Sequence, residues 1–453
     1  MIVRLFSWIT EIPPANWRDF FILINKDTPT QKSPNMGRLG NRFFSDFCSV
    51  ICNYIAMKNV RHITSVIIII LIAVLAAGTI VEKLHGSDFA RIHVYSAWWF
   101  VALWALVALL IVYMAVKCKT WKRLAVCALH SSILLILAGA LLTMLTGQHG
   151  KMKLEPNRPN SHFFIEEKGG EITKEALPFS LTLDRFEIET YEGSNKPKDY
   201  VSYLKLIDGE TQQKIVISMN NILRHKHYRF YQSDYDEQGN PILTVARDPW
   251  GIAVTYVGYA LLFVSLIALA LVPSLRGTKQ STNRVVTILW VSVLVVLLVA
   301  LYFRMTTRQL MPVLRSPFFS LHISTIITAY ALLIGIAVVG IIALIRPKDL
   351  PRLERMKSLS TAMLYPAIAL LTIGIFIGAI WANVSWGNYW SWDPKEVWAL
   401  ITLLIYAAPL HERLLKTFQK PLFFHIYGIV AILSVVITYF GVNLLLGGVH
   451  AYN

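Results

Sequence analysis

The stretch ITSVIIIILIAVLAAGTIV, residues 63–81, contains no charged side chain. As an α-helix it would be about 28 Å long, because each residue adds about 1.5 Å, and the hydrocarbon core of a bilayer is about 30 Å thick. Similar apolar runs recur along the chain and give candidate spans at 63–81, 95–116, 124–145, 250–272, 286–303, 322–345, 361–381, 397–411 and 422–443. The sequence therefore predicts a polytopic α-helical membrane protein with about nine spans.

Composition excludes the ordinary soluble class. Of the 453 residues, 55% are hydrophobic and 15% are charged, whereas soluble domains carry roughly 25% charged residues. The net charge of +16 comes largely from Lys and Arg in short segments between the apolar runs. This pattern is typical of membrane topology, so we expect membrane lipid and no nucleic acid as a partner. The four cysteines form no CxxC pair, and neither a zinc site nor a disulfide framework is indicated.

Basic residues also predict the orientation of the chain. The N-terminal 61 residues hold eight Lys and Arg, and segments 117–123, 276–284, 346–357 and 413–420 hold four, three, five and three. All of these lie on one side if nine spans are right, and that side is the cytoplasm. The segment 304–315 on the other side holds Arg304, Arg308 and Arg315. They are either solvated or placed to meet an anionic ligand group.

A β-rich domain is predicted on the extracytoplasmic side, between the third and fourth spans, at about 146–249. Apolar and polar residues alternate in 180–184 and 200–206, and an Asp208-Gly209 turn separates two strand-like runs. The basic stretch His225-Lys226-His227 is either a solvated strand edge or a metal site, and the strand edge is favoured.

The most unusual segment is WGNYWSWDPKEVW, residues 386–398, between the seventh and eighth spans on the outer side. Trp and Tyr collect at bilayer interfaces, which accounts for one or two of its five aromatic residues. The dense run with Gly, Pro, Asp and Glu favours a platform for a planar apolar ligand.

Histidines lie at two depths of the predicted membrane protein. His322 begins the sixth span and His450 follows the ninth, both on the side of the aromatic run. His130 lies in the third span and His411 at the inner end of the eighth. Histidines at such positions are often plain interfacial or interhelical residues. Imidazole is nevertheless a common axial ligand of heme, and ionisable residues inside spans tend to be functional.

These residues resemble a known family. WGNYWSWDPKE is similar to the tryptophan-rich WWD signature of heme-handling proteins of cytochrome c maturation, and the ending GVNLLLGGVHAYN resembles that of CcsA-type subunits. The first four spans with the β domain resemble the ResB-type partner, including Tyr231–Tyr235 and Asp248-Pro249. The resemblance implies a fused ResB–CcsA protein, the system II cytochrome c synthase. Its expected parts are a cytoplasmic segment at 1–60, a ResB-like part at 61–272, and a CcsA-like part at 286–453 with the heme loop at 382–396.

The resemblance also implies roles for individual residues. The heme-binding segment would comprise Trp386, Gly387, Trp390, Trp392, Asp393 and Glu396. His322 and His450 would be the axial ligands of heme iron, and His130 and His411 would bind iron transiently during passage through the membrane. No residue is assigned a catalytic role beyond positioning heme. Asp393-Pro394 is equally typical of a helix start.

The implied activity is that of a holocytochrome c synthase in a bacterial inner membrane, with the heme site on the periplasmic face. Heme b would be the bound substrate, and the CxxCH cysteines of apocytochrome c would add to its vinyl groups. Thiol-reducing proteins are further candidate partners. Two alternatives stay open: a WWD-type heme exporter or chaperone without ligase activity, and a heme-bearing electron-transfer subunit. The chain is shorter than usual fused synthases, so dependence on another subunit is possible.

Overall fold

In a computed structural model of the protein, the described residues are 36–166, 171–271, 314 and 316–446. Contacts divide the chain into two units, Met1–His62 and Ile63–Asn453. The described part of the first unit is helical. The second unit contains long apolar helices and one large sheet.

The helices follow the apolar runs. They are α1 (Met36–His85), α2 (Trp98–Lys117), α3 (Leu124–Thr146), α4 (Gly251–Leu271), α5 (Pro317–Leu344), α6 (Leu350–Trp386), α7 (Pro394–Ala407) and α8 (Pro421–Val436). A short helix, Ser87–Ala90, and a π-helical turn, Arg91–Tyr95, connect α1 to α2. The helix α8 continues as a π-helix, Ile437–Leu446.

Seven helices of the described residues are long and apolar enough to cross a membrane, so the chain is a multi-pass membrane protein. The predicted number of about nine is not confirmed. The predicted span 286–303 lies outside the described residues. The predicted span 397–411 corresponds to α7 and to the 3₁₀ helix Ala408–His411 that continues it.

The sheet lies between α3 and α4 in the chain. Its strands are β1 (Gln148–Lys153), β2 (Pro159–Glu166), β3 (Ile172–Thr190), β4 (Pro197–Asp208), β5 (Thr211–Ile217), β6 (Leu223–His225), β7 (Tyr228–Tyr235) and β8 (Pro241–Arg247). All eight are joined by antiparallel pairs in the order β5-β4-β3-β2-β1-β8-β7-β6. The prediction of a membrane protein with a β-rich domain is therefore confirmed.

The two halves of the sheet enclose one core. Leu181 of β3, Leu204 of β4, Phe230 of β7 and Val245 of β8 belong to the same buried cluster. Inside it the Ser202 hydroxyl donates to Oε1 of Gln232 at 2.7 Å, so β4 and β7 face each other although they are not neighbours in the sheet. Within the described residues, every member of this buried cluster comes from the sheet segment between α3 and α4.

The basic stretch at 225–227 forms the tight turn between β6 and β7. Lys226 and His227 have φ values of 47° and 68°, as such two-residue turns require. Asp208, at the end of β4, accepts from Nε2 of His225 at 2.9 Å and pairs with Nζ of Lys226 at 2.6 Å. These contacts link two hairpin turns, and the described residues contain no group of three or more His, Cys, Asp or Glu that could hold a metal ion.

Helices α3 and α4 lead into and out of the sheet and pack closely through glycine. A Cβ at Gly139 of α3 would lie 2.8 Å from the backbone nitrogen of Thr255 in α4. Thr143 of α3 donates its hydroxyl to Asp248 at 2.6 Å, and the other carboxylate oxygen of Asp248 accepts from the Gly251 nitrogen at 2.8 Å. Small residues allow such close helix contacts in membranes, so both ends of the sheet segment are tied to one helix pair.

We expect Gly139→Ala to push α3 and α4 apart, because its Cβ would meet the backbone of Thr255 and Gly251 as well as the Thr255 hydroxyl. Overpacking of this kind costs about 1–3 kcal/mol. The temperature at which the detergent-solubilised protein aggregates should therefore fall. Ala140→Val is the control, since Ala140 is exposed on the same helix. Equal aggregation temperatures for the two variants would contradict the packing described here.

Candidate functional site

The aromatic segment connects α6 to α7 and lies against the sheet. Helix α6 ends at Trp386, and Gly387 reverses the chain with φ of 88°, its nitrogen donating to the Asn383 carbonyl at 3.2 Å. A Cβ at Gly387 would lie 2.8 Å from Cε2 of Tyr231, a fully buried residue of β7. The segment therefore needs glycine here for two reasons, the left-handed backbone and the close approach to the sheet.

The tryptophans of the segment pack against other aromatic rings, and one partner of Trp392 comes from a distant part of the chain. Trp392 stacks on Tyr95 with ring centroids 4.8 Å apart and an interplanar angle of 5°, and Trp390 meets Trp392 edge-on at 5.9 Å. Trp386 contacts Trp381 at 4.9 Å. One face of the Trp392 ring is thus covered by protein and does not contribute to an open platform.

Trp392 has a φ of 62°. A non-glycine residue in this left-handed region costs about 1–2 kcal/mol. The Tyr95 stack and an edge contact with Phe100 at 5.1 Å hold it there. Strain of this kind is common where a protein positions a ligand.

The two acidic residues of the segment organise the start of α7. Asp393 is 3% exposed and caps the helix by accepting from the Lys395 nitrogen at 3.1 Å. Glu396, in the first turn, accepts from the nitrogen and hydroxyl of Ser391 at 2.8 and 3.2 Å. Asp393-Pro394 is therefore a helix start, and both carboxylates fix the shape of the loop.

His322 lies in the second turn of α5 and packs on α6. Its Nδ1 is 2.7 Å from the Gly374 carbonyl. Because a carbonyl only accepts, Nδ1 carries the proton, and in the neutral ring Nε2 has the lone pair that can bind a metal. Three residues earlier, Phe319 contacts Trp381 at 4.6 Å, and Trp381 contacts Trp386. The start of α5 therefore supports the same helix end from which the aromatic segment leaves.

His130 and His411 are brought together at the opposite end of the helices from the sheet. Their ring centroids are 6.2 Å apart, although the residues are far apart in sequence. Nδ1 of His130 donates to the Val126 carbonyl at 2.8 Å, and Nδ1 of His411 donates to the Ala407 carbonyl at 2.9 Å. In their neutral forms both rings therefore carry the lone pair on Nε2.

The remaining predicted residues cannot be placed. His450, and Arg304, Arg308 and Arg315 of the preceding outer segment, lie outside the described residues. The described part of the chain therefore contains His322 but not its predicted axial partner.

Buried polar atoms without hydrogen-bond partners are concentrated around the aromatic segment. Within the described residues, five such atoms belong to the segment, its flanking helix end or the side chains packed on it: Tyr95 Oη, Asn383 Oδ1 and Nδ2, Ser385 Oγ and Trp390 Nε1. At the same place Arg229 hydrogen-bonds the phenols of Tyr389 and Tyr231. Unsatisfied groups of this kind are rare in folded proteins. Their concentration at one place fits a site that binds a ligand with both apolar and polar parts.

Several of these residues were not predicted as site residues. Tyr95 lies in the connection between α1 and α2, Arg229 and Tyr231 in β7, and Tyr256 in α4, where it meets Tyr389 at 5.7 Å. Burial raises the pKa of the Tyr231 and Tyr389 phenols above their ordinary value, so both stay neutral. The sequence signal for Arg229 is the alternation in Tyr228-Arg229-Phe230-Tyr231, which puts a cation between two core aromatics, and Tyr231 begins the ResB-like stretch Tyr231–Tyr235.

Comparison with known proteins divides the chain at the start of α4. Residues 113–247 match the ResB-like family, and residues 254–450 match the Cytochrome C assembly protein family. The first match covers most of the sheet with the helix before it. The second covers the aromatic segment and the helices around it.

Similar proteins include Protein NrfI of Wolinella succinogenes, which is 40% identical over 153 residues, or 32% of this chain and 17% of NrfI. Cytochrome c biogenesis protein CcsA of Synechococcus sp. (strain CC9605) is 36% identical over 182 residues, or 32% of this chain and 59% of that protein. CcsA of Synechococcus sp. (strain WH7803) is 35% identical over 221 residues, or 47% of this chain and 68% of that protein.

The chain thus spans less than two thirds of the first two relatives and slightly more than two thirds of the third. The CcsA match, together with the ResB-like match that precedes it, agrees with the predicted resemblance. The chain therefore belongs to the system II family of cytochrome c biogenesis proteins and is a fused ResB–CcsA type.

Proposed function

We propose that the protein is a holocytochrome c synthase, which holds heme b at the aromatic segment and joins it to apocytochrome c. The observation that carries the proposal is the docking of the aromatic segment on Tyr231 of the sheet. This contact makes one site from the two parts that match different families. A cytochrome c assembly protein needs such a site for heme, and its unsatisfied polar atoms and strained Trp392 fit a bound ligand.

Different residues of the site hold different parts of the heme. His322 supplies an imidazole whose Nδ1 proton is held by Gly374, and His450 is the proposed second ligand of the iron. Trp386, Trp390 and Trp392 surround the porphyrin ring and exclude water. Asp393 and Glu396 keep the loop in shape through Lys395 and Ser391. This site lies on the periplasmic face of a bacterial inner membrane in the orientation that the basic segments favour.

The reaction needs no thiol of this chain. The S–H of each CxxCH cysteine in the apocytochrome adds across one heme vinyl group, so a C–S bond forms and the proton ends on the other vinyl carbon. No electrons are gained or lost in this addition, although the cysteines must arrive reduced. Alignment of two reactants in one site can contribute about 7–11 kcal/mol toward lowering a barrier. Positioning is therefore a sufficient role for the protein.

Heme made in the cytoplasm must cross the membrane to reach this site. We propose that the His130–His411 pair binds heme iron transiently during this passage. The two rings lie 6.2 Å apart at the end of the helices opposite the sheet. In neutral form each has the lone pair on Nε2, which metal ligation requires. The same pair would suit an electron-transfer heme, so the decisive test is the covalent product.

Co-expression with an apocytochrome c in cells lacking any other maturation system tests the proposal. We expect heme that stays on the client after denaturing electrophoresis, and none on a client whose two CxxCH cysteines are alanine. The His130→Ala/His411→Ala variant should lower the yield of this product at least tenfold at equal protein level. A heme exporter, chaperone or electron-transfer subunit would leave the wild-type assay without covalent product, and that result would contradict the proposal.

Absorption spectra of the purified protein test the iron ligand. Wild type should carry low-spin heme, and His322→Ala should lose most of it because one axial bond is gone. Added imidazole should restore the low-spin spectrum by occupying the vacated position. His162→Ala, in strand β2, is the control and should match wild type. If His322→Ala keeps the wild-type spectrum, His322 is not an axial ligand.

A further inference from the structure

Two arginines face each other across the hairpin β6–β7. Arg224 and Arg229 are direct partners in the antiparallel register, which places their Cβ atoms about 5 Å apart on the same face. Their chain neighbours Leu223, Tyr228 and Phe230 belong to the core of the sheet. By strand alternation both arginines therefore point away from this core. Like charges placed directly opposite one another in a sheet are destabilising.

Neither charge is compensated within the described residues. No carboxylate of residues 36–166, 171–271 or 316–446 forms an ion pair with Arg224 or Arg229. Arg229 is partly buried, its Nη1 is fully buried, and it hydrogen-bonds the phenols of Tyr389 and Tyr231. A guanidinium stays charged in proteins, and desolvating it without an opposite charge is costly. The arrangement is that of a site for an anion.

The side chains around this pair connect it to the aromatic segment. Arg229 interacts electrostatically with the phenols of Tyr231 and Tyr389, and Arg224 also acts on Tyr231. Tyr231 packs directly on Gly387, and Tyr389 is part of the aromatic segment. Because both phenols are neutral, they do not balance the charge of the arginines. The two cations therefore stand beside Tyr231 and Tyr389, at the edge of the segment proposed to hold the porphyrin.

We propose that Arg224 and Arg229 bind the two propionate carboxylates of the heme held at the aromatic segment; this rests on the proposed function. Heme b carries two carboxylates on neighbouring pyrrole rings, and the hairpin offers two guanidinium groups on neighbouring strands. Arginine binds carboxylates through paired, charge-assisted hydrogen bonds. Arg229 makes the stronger contact because it is the more buried of the two. The ResB-like sheet then recognises the polar edge of heme, and the cytochrome-assembly part holds the iron and the ring.

Titration of heme-free, detergent-solubilised protein with hemin and with hemin dimethyl ester tests this assignment. The ester keeps the ring and iron but has no carboxylate charge. We expect wild type to bind hemin roughly ten- to a hundred-fold more tightly than the ester, as charge-assisted hydrogen bonds imply. Arg229→Gln should lower the affinity for hemin by a similar factor and leave the affinity for the ester unchanged. Arg224→Gln should have a smaller effect, and Arg229→Lys should fall between wild type and Arg229→Gln.

The control is Arg185→Gln, in strand β3 of the same sheet, whose side chain is 61% exposed and paired with Glu187. It should behave as wild type with both ligands. If wild type binds hemin and its ester equally, the carboxylates are not recognised. In that case the inference fails, but the heme site of the proposed function stands. The same result is expected if the arginines bind lipid phosphate instead of heme. Equal loss of both ligands in Arg229→Gln would also overturn it, since that result indicates damage to the fold. If wild type binds neither ligand, the proposed function fails together with the inference.

Discussion

The approach of Gly387 to Tyr231 is the contact on which the site depends. The φ of 88° at Gly387 turns the chain sharply at the end of α6, and the missing side chain lets the backbone lie against the Tyr231 ring. Without this turn the next residues could not reach the sheet. With it, Tyr389 meets α4, and Trp392 meets Tyr95 of the connection between α1 and α2. One loop thereby contacts the sheet, α4 and the connection between α1 and α2.

The same type of hydrogen bond, from Nδ1 to a backbone carbonyl, orients three of the histidines. His322, His130 and His411 each place Nδ1 within 2.7–2.9 Å of a backbone carbonyl. A backbone acceptor cannot change its protonation state, so in each neutral ring the proton is held on Nδ1 and the lone pair on Nε2. Metal-binding histidines are usually oriented in this way. The protein thus offers similar imidazoles at both ends of its helices, which suits the transfer of one iron-containing substrate between them.

Much of the helical framework could be predicted from the sequence, because an uncharged apolar run of about 20 residues is the characteristic signature of a membrane-spanning helix. The run at 95–116 became Trp98–Lys117, and the run at 124–145 became Leu124–Thr146. The alternating stretches at 180–184 and 200–206 lie in β3 and β4. The short run at 397–411 lies in α7 and the 3₁₀ helix Ala408–His411, but hydropathy does not show where the helix changes from α to 3₁₀ geometry.

The partners within the site could not be predicted in the same way. Periodicity indicates which face of an element is buried, but not which residue covers it. Tyr95 and Trp392 are almost three hundred positions apart, and nothing local in either segment indicates the other. Nothing in the sequence marks Arg229 as a site residue, since only the fold shows that Arg224 stands opposite and that no described carboxylate pairs with either. Topology placed His130 and His411 toward the same inner side of the membrane, and the family resemblance gave them a shared role, but neither indicated that their rings meet.

The central claim is that docking of the aromatic segment on the sheet creates the heme site. The most direct measurement is the heme content of purified Gly387→Ala beside Gly193→Ala. Both glycines have positive φ, at 88° and 71°, so alanine strains both turns. A Cβ at Gly387 would strike Tyr231, whereas a Cβ at Gly193 would meet nothing within 4 Å. The account predicts that Gly387→Ala loses most of its heme while Gly193→Ala retains it. Equal heme content in the two variants would contradict the account.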